Sequence, residues 1–289
     1  MSQAELVLDC RNTHGEGVLW NAADQRLWWT DIHGQQLWSL DPRDGSAGSI
    51  DLPARACCFA PKRSGGFIVA LADGLARLES DGTLTRTHDF EPDNPNTRFN
   101  DGRTDRQGRL VVGGMNEGTG NPDSSVVRVD GDSSVHTLFA GVACANSTCF
   151  SPDGETLYFA DTPERLIRAY PYDVATGTVG APRVFVDMHE EPGLPDGSCV
   201  DAEGGVWNAQ WEGGRVVRFD ASGRLDRVIE LPVSKVTCCA FGGTELDTLF
   251  ITTSRLGSDA QRLEAEPLSG GLFAIKPGVR GILDAPFAG

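Results

Sequence analysis

The 289-residue sequence predicts an all-β protein, a six-bladed β-propeller in which residues 1–289 form one domain. Two observations predict it. A strand-and-turn unit recurs six times at a near-constant period, and glycine fills 35 positions, well above the ~7% of ordinary chains. That glycine content suits a fold with many tight turns.

The repeated unit is a polar turn with Asp or Gly, a short apolar strand, a gap, a second apolar strand and another turn. It runs as ADQRLWWTDIHGQQLWSLDPRDG from Ala23, as SGGFIVALADGLARLESDG from Ser64, and as RQGRLVVGGMNEG from Arg106, with SSVVRVDG following. It returns as PDGETLYFADTPERLIRAYPYDVATG from Pro152, as AEGGVWNAQWEGGRVVRFDASG from Ala202, and as ELDTLFITTSR from Glu245, with GGLFAI after it. The first apolar residue after each turn is Leu27, Phe67, Leu110, Leu157, Val206 and Leu249, at spacings of 40, 43, 47, 49 and 43. A period of about 44 matches a blade of four short strands. Helical repeats have similar lengths. These segments, however, alternate, carry Val, Ile, Phe and Trp, and are cut by Gly and Asp at roughly the 8–12-residue interval of short strands. Only 259–266 (DAQRLEAE) suits a helical turn, and AELVLD near the N-terminus is expected to complete the last blade.

Composition narrows the function. Hydrophobic residues make up 39% and charged residues 23%, which excludes a disordered chain. No apolar run approaches the ~18–20 residues that span a bilayer. The opening MSQAELVLDCRN lacks the basic and apolar regions of a secretory signal. A soluble, cytoplasmic protein is expected. With 25 basic and 41 acidic residues the net charge is −16, which repels nucleic acid and anionic membrane, so neither is expected as a partner. The eight cysteines include no CxxC and no zinc spacing, so reduced thiols are expected. The five histidines show no metal-pair spacing, and there is neither a GxSxG elbow nor a glycine-rich nucleotide motif.

The first strand of a propeller blade lines the central channel. Ten or eleven residues before the anchors stand Glu16, Asn100, Asn146 and Asp196, whereas the second and sixth blades carry Ala56–Cys57 and Cys238–Cys239 there. Four of six equivalent positions thus bear a side-chain oxygen, and equivalence would gather them at one mouth of the channel. Carboxylates brought together in a partly buried site must be neutralised by proton uptake or by a cation. An all-oxygen set without His or Cys suits a hard cation such as Ca²⁺, Mg²⁺ or Mn²⁺. Asp-Gly pairs are also turn signals, and that is the preferred reading for Asp101-Gly102 and for Pro152-Asp153-Gly154. Asn146-Ser147-Thr148 is formally a glycosylation sequon, which an inner strand would hide.

GEGVLW at 15–20, RFNDG at 98–102, CANSTCFSPDGETLYFADT at 144–162, LPDGSCVDAEGGVWNAQW at 194–211 and CCAFGG at 238–243 lie in order along nearly the whole chain. Together they resemble the SMP-30/gluconolactonase/regucalcin family of six-bladed propeller lactonases. The resemblance implies one divalent cation (Ca, Mg, Mn, Zn or Fe) held by Glu16, Asn146 and Asp196. It implies substrate contacts from Arg98 and Asn100 of the RxND motif, with Glu117 the nearest match to a further acidic contact. Val18 stands where the family has Pro, and Ser147 where it has Gly; neither change removes a ligand.

The activity so implied is opening of a small-molecule sugar lactone, an aldonolactone, to the free aldonic acid. Asp196 would act as general base for the attacking water and the cation as Lewis acid. Trp211, after Asp196, is placed either to stack on the sugar or to pack at the rim. Two alternatives remain beside this reading: a metal-dependent hydrolase of other esters or phosphotriesters, and a non-catalytic calcium-binding regulatory propeller.

Overall fold

The structure, a computed structural model, describes residues 2–289. Among the described residues the strands form six sheets. The first runs Gly15–Asn21, Arg26–Asp31, Gln36–Leu40 and Ala47–Asp51, each strand antiparallel to the one before it. The sheets that begin at Ala56–Pro61, Thr97–Thr104, Ala145–Phe150 and Leu194–Val200 repeat this plan. In the last sheet Val236–Gly242, Thr248–Thr253 and Leu272–Ile275 are joined by Glu5–Leu8 from the other end of the chain, as AELVLD predicts. The fold class is therefore the expected six-bladed β-propeller. Ser2–Gln3 adds a feature the repeat did not announce, pairing parallel to Leu225–Glu230.

All six anchors fall on the second strand of their blades and are buried. Burial falls off across each sheet. Ala145–Phe150 and Val236–Gly242, both first strands, are buried at every position, while the fourth strand Ala47–Asp51 is exposed at every position. A strand covered on both faces tolerates no unpaired polar group, so polar residues on first strands mark positions with a second purpose.

The chain divides into two compact units, Met1–Arg55 with Met188–Leu283, and Ala56–Asp187 with Asp284–Gly289. The first unit packs Trp207, Val216, Ile251 and Phe273 in one cluster and Val18, Leu27, Trp29 and Phe250 in another. Val18, which replaces the family's Pro, is thus a core residue. The second unit packs Val111, Phe150, Leu157, Phe159 and Tyr170. Its C-terminal tail seats Phe287, whose N–H donates to Pro61 O at 2.7 Å while its carbonyl accepts from Arg63 N–H at 2.9 Å.

The 259–266 segment forms the helix Ala260–Ala265, capped by the Asp259 side chain, which accepts from the Arg262 N–H. No helix of the described residues is long and apolar enough to cross a membrane. All eight cysteines carry thiols; those of Cys199 and Cys239 lie 3.8 Å apart.

Candidate active site

Every first strand carries one residue more than its partner needs. The pairing steps from Glu16↔Thr30 to Leu19↔Trp28, from Phe99↔Gly114 to Gly102↔Val112, from Asn146↔Ala160 to Cys149↔Tyr158, and from Pro195↔Gln210 to Ser198↔Asn208. In the other two blades the shift falls between Ala56 and Cys58 and between Val236 and Cys238. A bulge re-aims the side chains beside it, and the four polar positions all sit at one. Glu16 and Asn146 are the last paired residues before the bulge. Each is followed by a left-handed residue, Gly17 at φ 60° and Ser147 at φ 58°. Asn100 and Asp196 lie one residue further on, inside it. This explains why the spacing to the anchor is eleven for the first pair and ten for the second. It also explains the family's Gly at position 147, because a non-glycine residue there costs about 1–2 kcal/mol.

In the second unit the structure brings together Glu117, Arg98, Asn100 and Asn146. Arg98 is 4% exposed. Its Nε donates to Glu117 Oε2 at 2.8 Å, and its Nη1 donates to Asn100 Oδ1 and to the Phe99 carbonyl, both at 2.8 Å. Burial opposes the Arg98 charge, but the Cys57 sulfur and the Glu117 carboxylate hold its pKa above the ordinary guanidinium value. With Asn100 Oδ1 so engaged, its Nδ2 donates to Ala145 O at 2.9 Å and to Asn146 Oδ1 at 3.3 Å. Asn146 is 5% exposed, and its Nδ2 donates to Thr162 Oγ1 at 2.8 Å. Each amide is thereby oriented: Asn146 turns its nitrogen to Thr162, so that its oxygen accepts from Asn100 and is the atom with lone pairs to offer a cation.

Thr162 and its neighbour Asp161 hold the Asn146 strand in place, and the sequence reading did not single them out. The Asp161 carboxylate accepts the N–H groups of Ala143 and Cys144 at 3.0 and 2.8 Å, fixing the turn into the Asn146 strand. Burial pushes its pKa up despite those bonds. Asp31 does the same for Thr13 and His14 at 2.8 and 2.9 Å, just before Glu16. A signal existed, since both aspartates stand four residues past an anchor, Leu27 or Leu157.

The first unit places Glu16 and Asp196 on two of its blades, 8% and 6% exposed. Glu16 Oε2 accepts the Gly17 N–H at 2.9 Å. Asn208 pins the second bulge, its Nδ2 donating to Asp196 O at 3.1 Å and to Ser198 Oγ at 3.0 Å. Among the described residues no three His, Cys, Asp or Glu side chains come together as a metal site, so a cation here needs neutral oxygens as well as carboxylates. The amide oxygen of Asn146 and the buried carboxylates of Glu16 and Asp196 are each of the donor type that a hard divalent ion takes.

Asp101-Gly102 is not the turn its sequence suggested. Both residues lie inside the strand Thr97–Thr104, at the bulge. Asp101 is buried, and its Oδ2 accepts the Thr148 N–H of the next blade at 2.7 Å, while burial raises its pKa. A Cβ on Gly102 would stand 2.8 Å from Val111 O, so close packing and not a turn requires glycine. Asp153-Gly154 is a turn as expected, with Gly154 at φ 77°. Asp101→Ala should therefore cost about 1–3 kcal/mol of global stability by stranding a buried N–H. Urea unfolding checks this; an unchanged midpoint would return Asp101 to a peripheral role.

The SMP-30/gluconolactonase/LRE-like region model matches residues 14–255. The chain is 37% identical over 277 residues to a 6-deoxy-6-sulfogluconolactonase of Pseudomonas putida, covering 95% of each protein. It is 37% identical over 292 residues to an L-arabinolactonase of Azospirillum brasilense, covering 99% of this chain and 96% of that one. Among solved structures it is similar to a calcium-binding protein, regucalcin, of Agrobacterium tumefaciens, with a TM-score of 0.95 and 32% identity over 100% of this chain and 98% of that one.

Proposed function

We propose that this chain, which belongs to the SMP-30/gluconolactonase/LRE-like family, is a sugar lactonase that opens an aldonolactone to the free aldonic acid. The observation that carries the reading is the hydrogen-bonded run from exposed Glu117 through buried Arg98 and half-buried Asn100 to buried Asn146, a pre-oriented set of polar groups suited to a polyhydroxylated ring. Two relatives named as sugar lactonases, at 37% identity over nearly the full length, support the same activity.

Glu16, Asn146 and Asp196 would hold one divalent cation, which supplies polarisation of the lactone carbonyl when bound. Asp196 takes the proton of the attacking water and returns it to the ring oxygen as the ester bond breaks. Arg98 and Asn100 hydrogen-bond the sugar oxygens. Glu117 fixes the guanidinium plane through its ion pair and is the further acidic contact to the substrate. Thr162 holds the Asn146 amide so that oxygen, not nitrogen, is presented.

A panel of pentono- and hexonolactones, assayed with EDTA and after divalent ions are restored, tests the proposal. Lactone turnover lost to chelation and recovered with metal is expected. Calcium binding without turnover of any lactone would favour a binding propeller instead, a reading that the regucalcin likeness keeps in view. Turnover of a phosphotriester control alone would point to the other hydrolase class.

Arg98→Ala should lower kcat/KM for lactones roughly 100-fold, the scale of lost substrate positioning, with metal affinity nearly unchanged. Lys should rescue poorly, because it lacks the planar fork that reaches Glu117, Phe99 O and Asn100 together. Metal titration and lactone kinetics on one preparation decide the point. Lost metal binding with normal turnover at saturating metal would make Arg98 a support of the ion.

A further inference from the structure

Trp211 ends the strand Val206–Trp211 and pairs with Leu194, two residues before Asp196 on the adjoining strand. Its indole is only partly buried. The ammonium of Lys235 lies over the ring, 5.3 Å from the centroid. Lys235 itself is buried and held there by Ser258 Oγ at 3.0 Å and by the Leu256 carbonyl. His14, two residues before Glu16, meets the indole at an interplanar angle of 81°, with centroids 5.7 Å apart. Ser254 Oγ gives its one proton to Thr13 O and accepts the Leu256 N–H, both at 3.0 Å. His14 Nδ1 must therefore be the donor to it at 2.8 Å, which locks the imidazole against Trp211. Glu212, the next residue, is left-handed at φ 61° and takes a two-pronged ion pair from Arg262 of the helix Ala260–Ala265. The ring is thus fixed by a cation on its face, an imidazole beside it and a clamped backbone. The core tryptophans satisfy their N–H internally, Trp29 on Asn12 at 2.7 Å and Trp207 on Asp201 at 2.8 Å. Trp211 Nε1 has no such acceptor among the described residues.

We infer that Trp211 is a specificity-determining residue of the lactonase, the solvent-accessible part of its ring packing on the C–H side of the lactone ring and its Nε1–H donating to a substrate oxygen. Amphipathic aromatic walls of this kind combine apolar area with a fixed polar tip. Because an indole packs against C–H groups and leaves a hydroxyl set against its ring unpaired, lactones with a clean C–H face toward Trp211 are preferred over epimers that place a hydroxyl there. The inference rests on the lactonase reading of Asp196.

The test compares wild type, Trp211→Leu, Trp211→Phe and Arg262→Gln on a pair of epimeric aldonolactones. Trp211→Leu should raise KM for the better epimer about tenfold and narrow the preference between the two, the scale of a lost aromatic stack. Metal affinity and kcat should hold within about twofold, and Phe should restore part of the loss. Arg262→Gln, which removes the ion pairs to Glu212 and Glu266 and the hydrogen bond to Ser234, should raise KM in the same direction by loosening the clamp. Wild type inert on every lactone would overturn the lactonase reading. Active wild type with KM and epimer preference unchanged in Trp211→Leu would overturn the role of Trp211 alone, as would a loss confined to kcat and metal affinity.

Discussion

Replacing Asp196 by Asn is expected to lower lactone turnover by about 10³-fold or more, the loss that follows when a positioned proton acceptor is removed. The substitution is nearly isosteric, and the bulge that aims residue 196 is pinned through backbone by Asn208, so the strand should keep its shape. What changes is charge. Asp196 is 6% exposed, and a carboxylate at that depth is costly unless a cation neutralises it. Two consequences separate the proposed role from a structural one. Without metal, Asp196→Asn should melt at or above the wild-type temperature. With metal, wild type should gain stability by mass action, and the variant should lose most of that gain. Thermal melts with and without divalent ion, beside lactone kinetics, check both. Full metal-dependent stabilisation with wild-type turnover in Asp196→Asn would remove it from both roles.

Phe287→Ala is expected to destabilise the protein by about 3–5 kcal/mol, the cost of emptying a large buried aromatic site. Phe287 is 0% exposed, although it is the third-last residue of the sequence. The tail around it is tied down at many points. Arg103 Nη1 donates to Asp284 Oδ2 at 2.8 Å, Thr104 Oγ1 to Ala285 O at 2.6 Å, and the Ala288 N–H to Gly108 O at 2.9 Å. Gly108 is left-handed at φ 87°, and a Cβ there would stand 2.4 Å from Pro286 O, so the tail passes where only glycine allows it. Urea unfolding measures the effect, and removal of 284–289 should cost more than the single change. A loss below about 1 kcal/mol, the size of a surface substitution, would mean that the tail rests on the second unit without supporting it.

The repeat was legible because its signals are local. Turn glycines and aspartates, short alternating strands and the anchors from Leu27 to Leu249 each act within one blade, whose strands pair with their neighbours in sequence. The register of Glu16, Asn100, Asn146 and Asp196 was legible for the same reason. Their one-residue scatter in spacing looked like noise and is the bulge itself. Asp101 misled because Asn-Asp-Gly serves a bulge as readily as a turn, and only the Thr148 N–H of the next blade distinguishes the two.

The amino-acid sequence alone determined the fold class, the number of blades, the strand-swapped last sheet and which polar side chains stand on first strands, since periodicity and turn chemistry act over a few residues. Tertiary structure decided the rest. It set the direction of each amide, which depends on the hydrogen bonds joining Arg98, Asn100, Asn146 and Thr162 across two blades. It set the clamp on Trp211, assembled from Lys235, His14 and Arg262. It also set the docking of the tail, where Asp284 meets Arg103 from 181 residues away. Such contacts carry no period, because the partners are neighbours in space and strangers in sequence, so packing alone selects them.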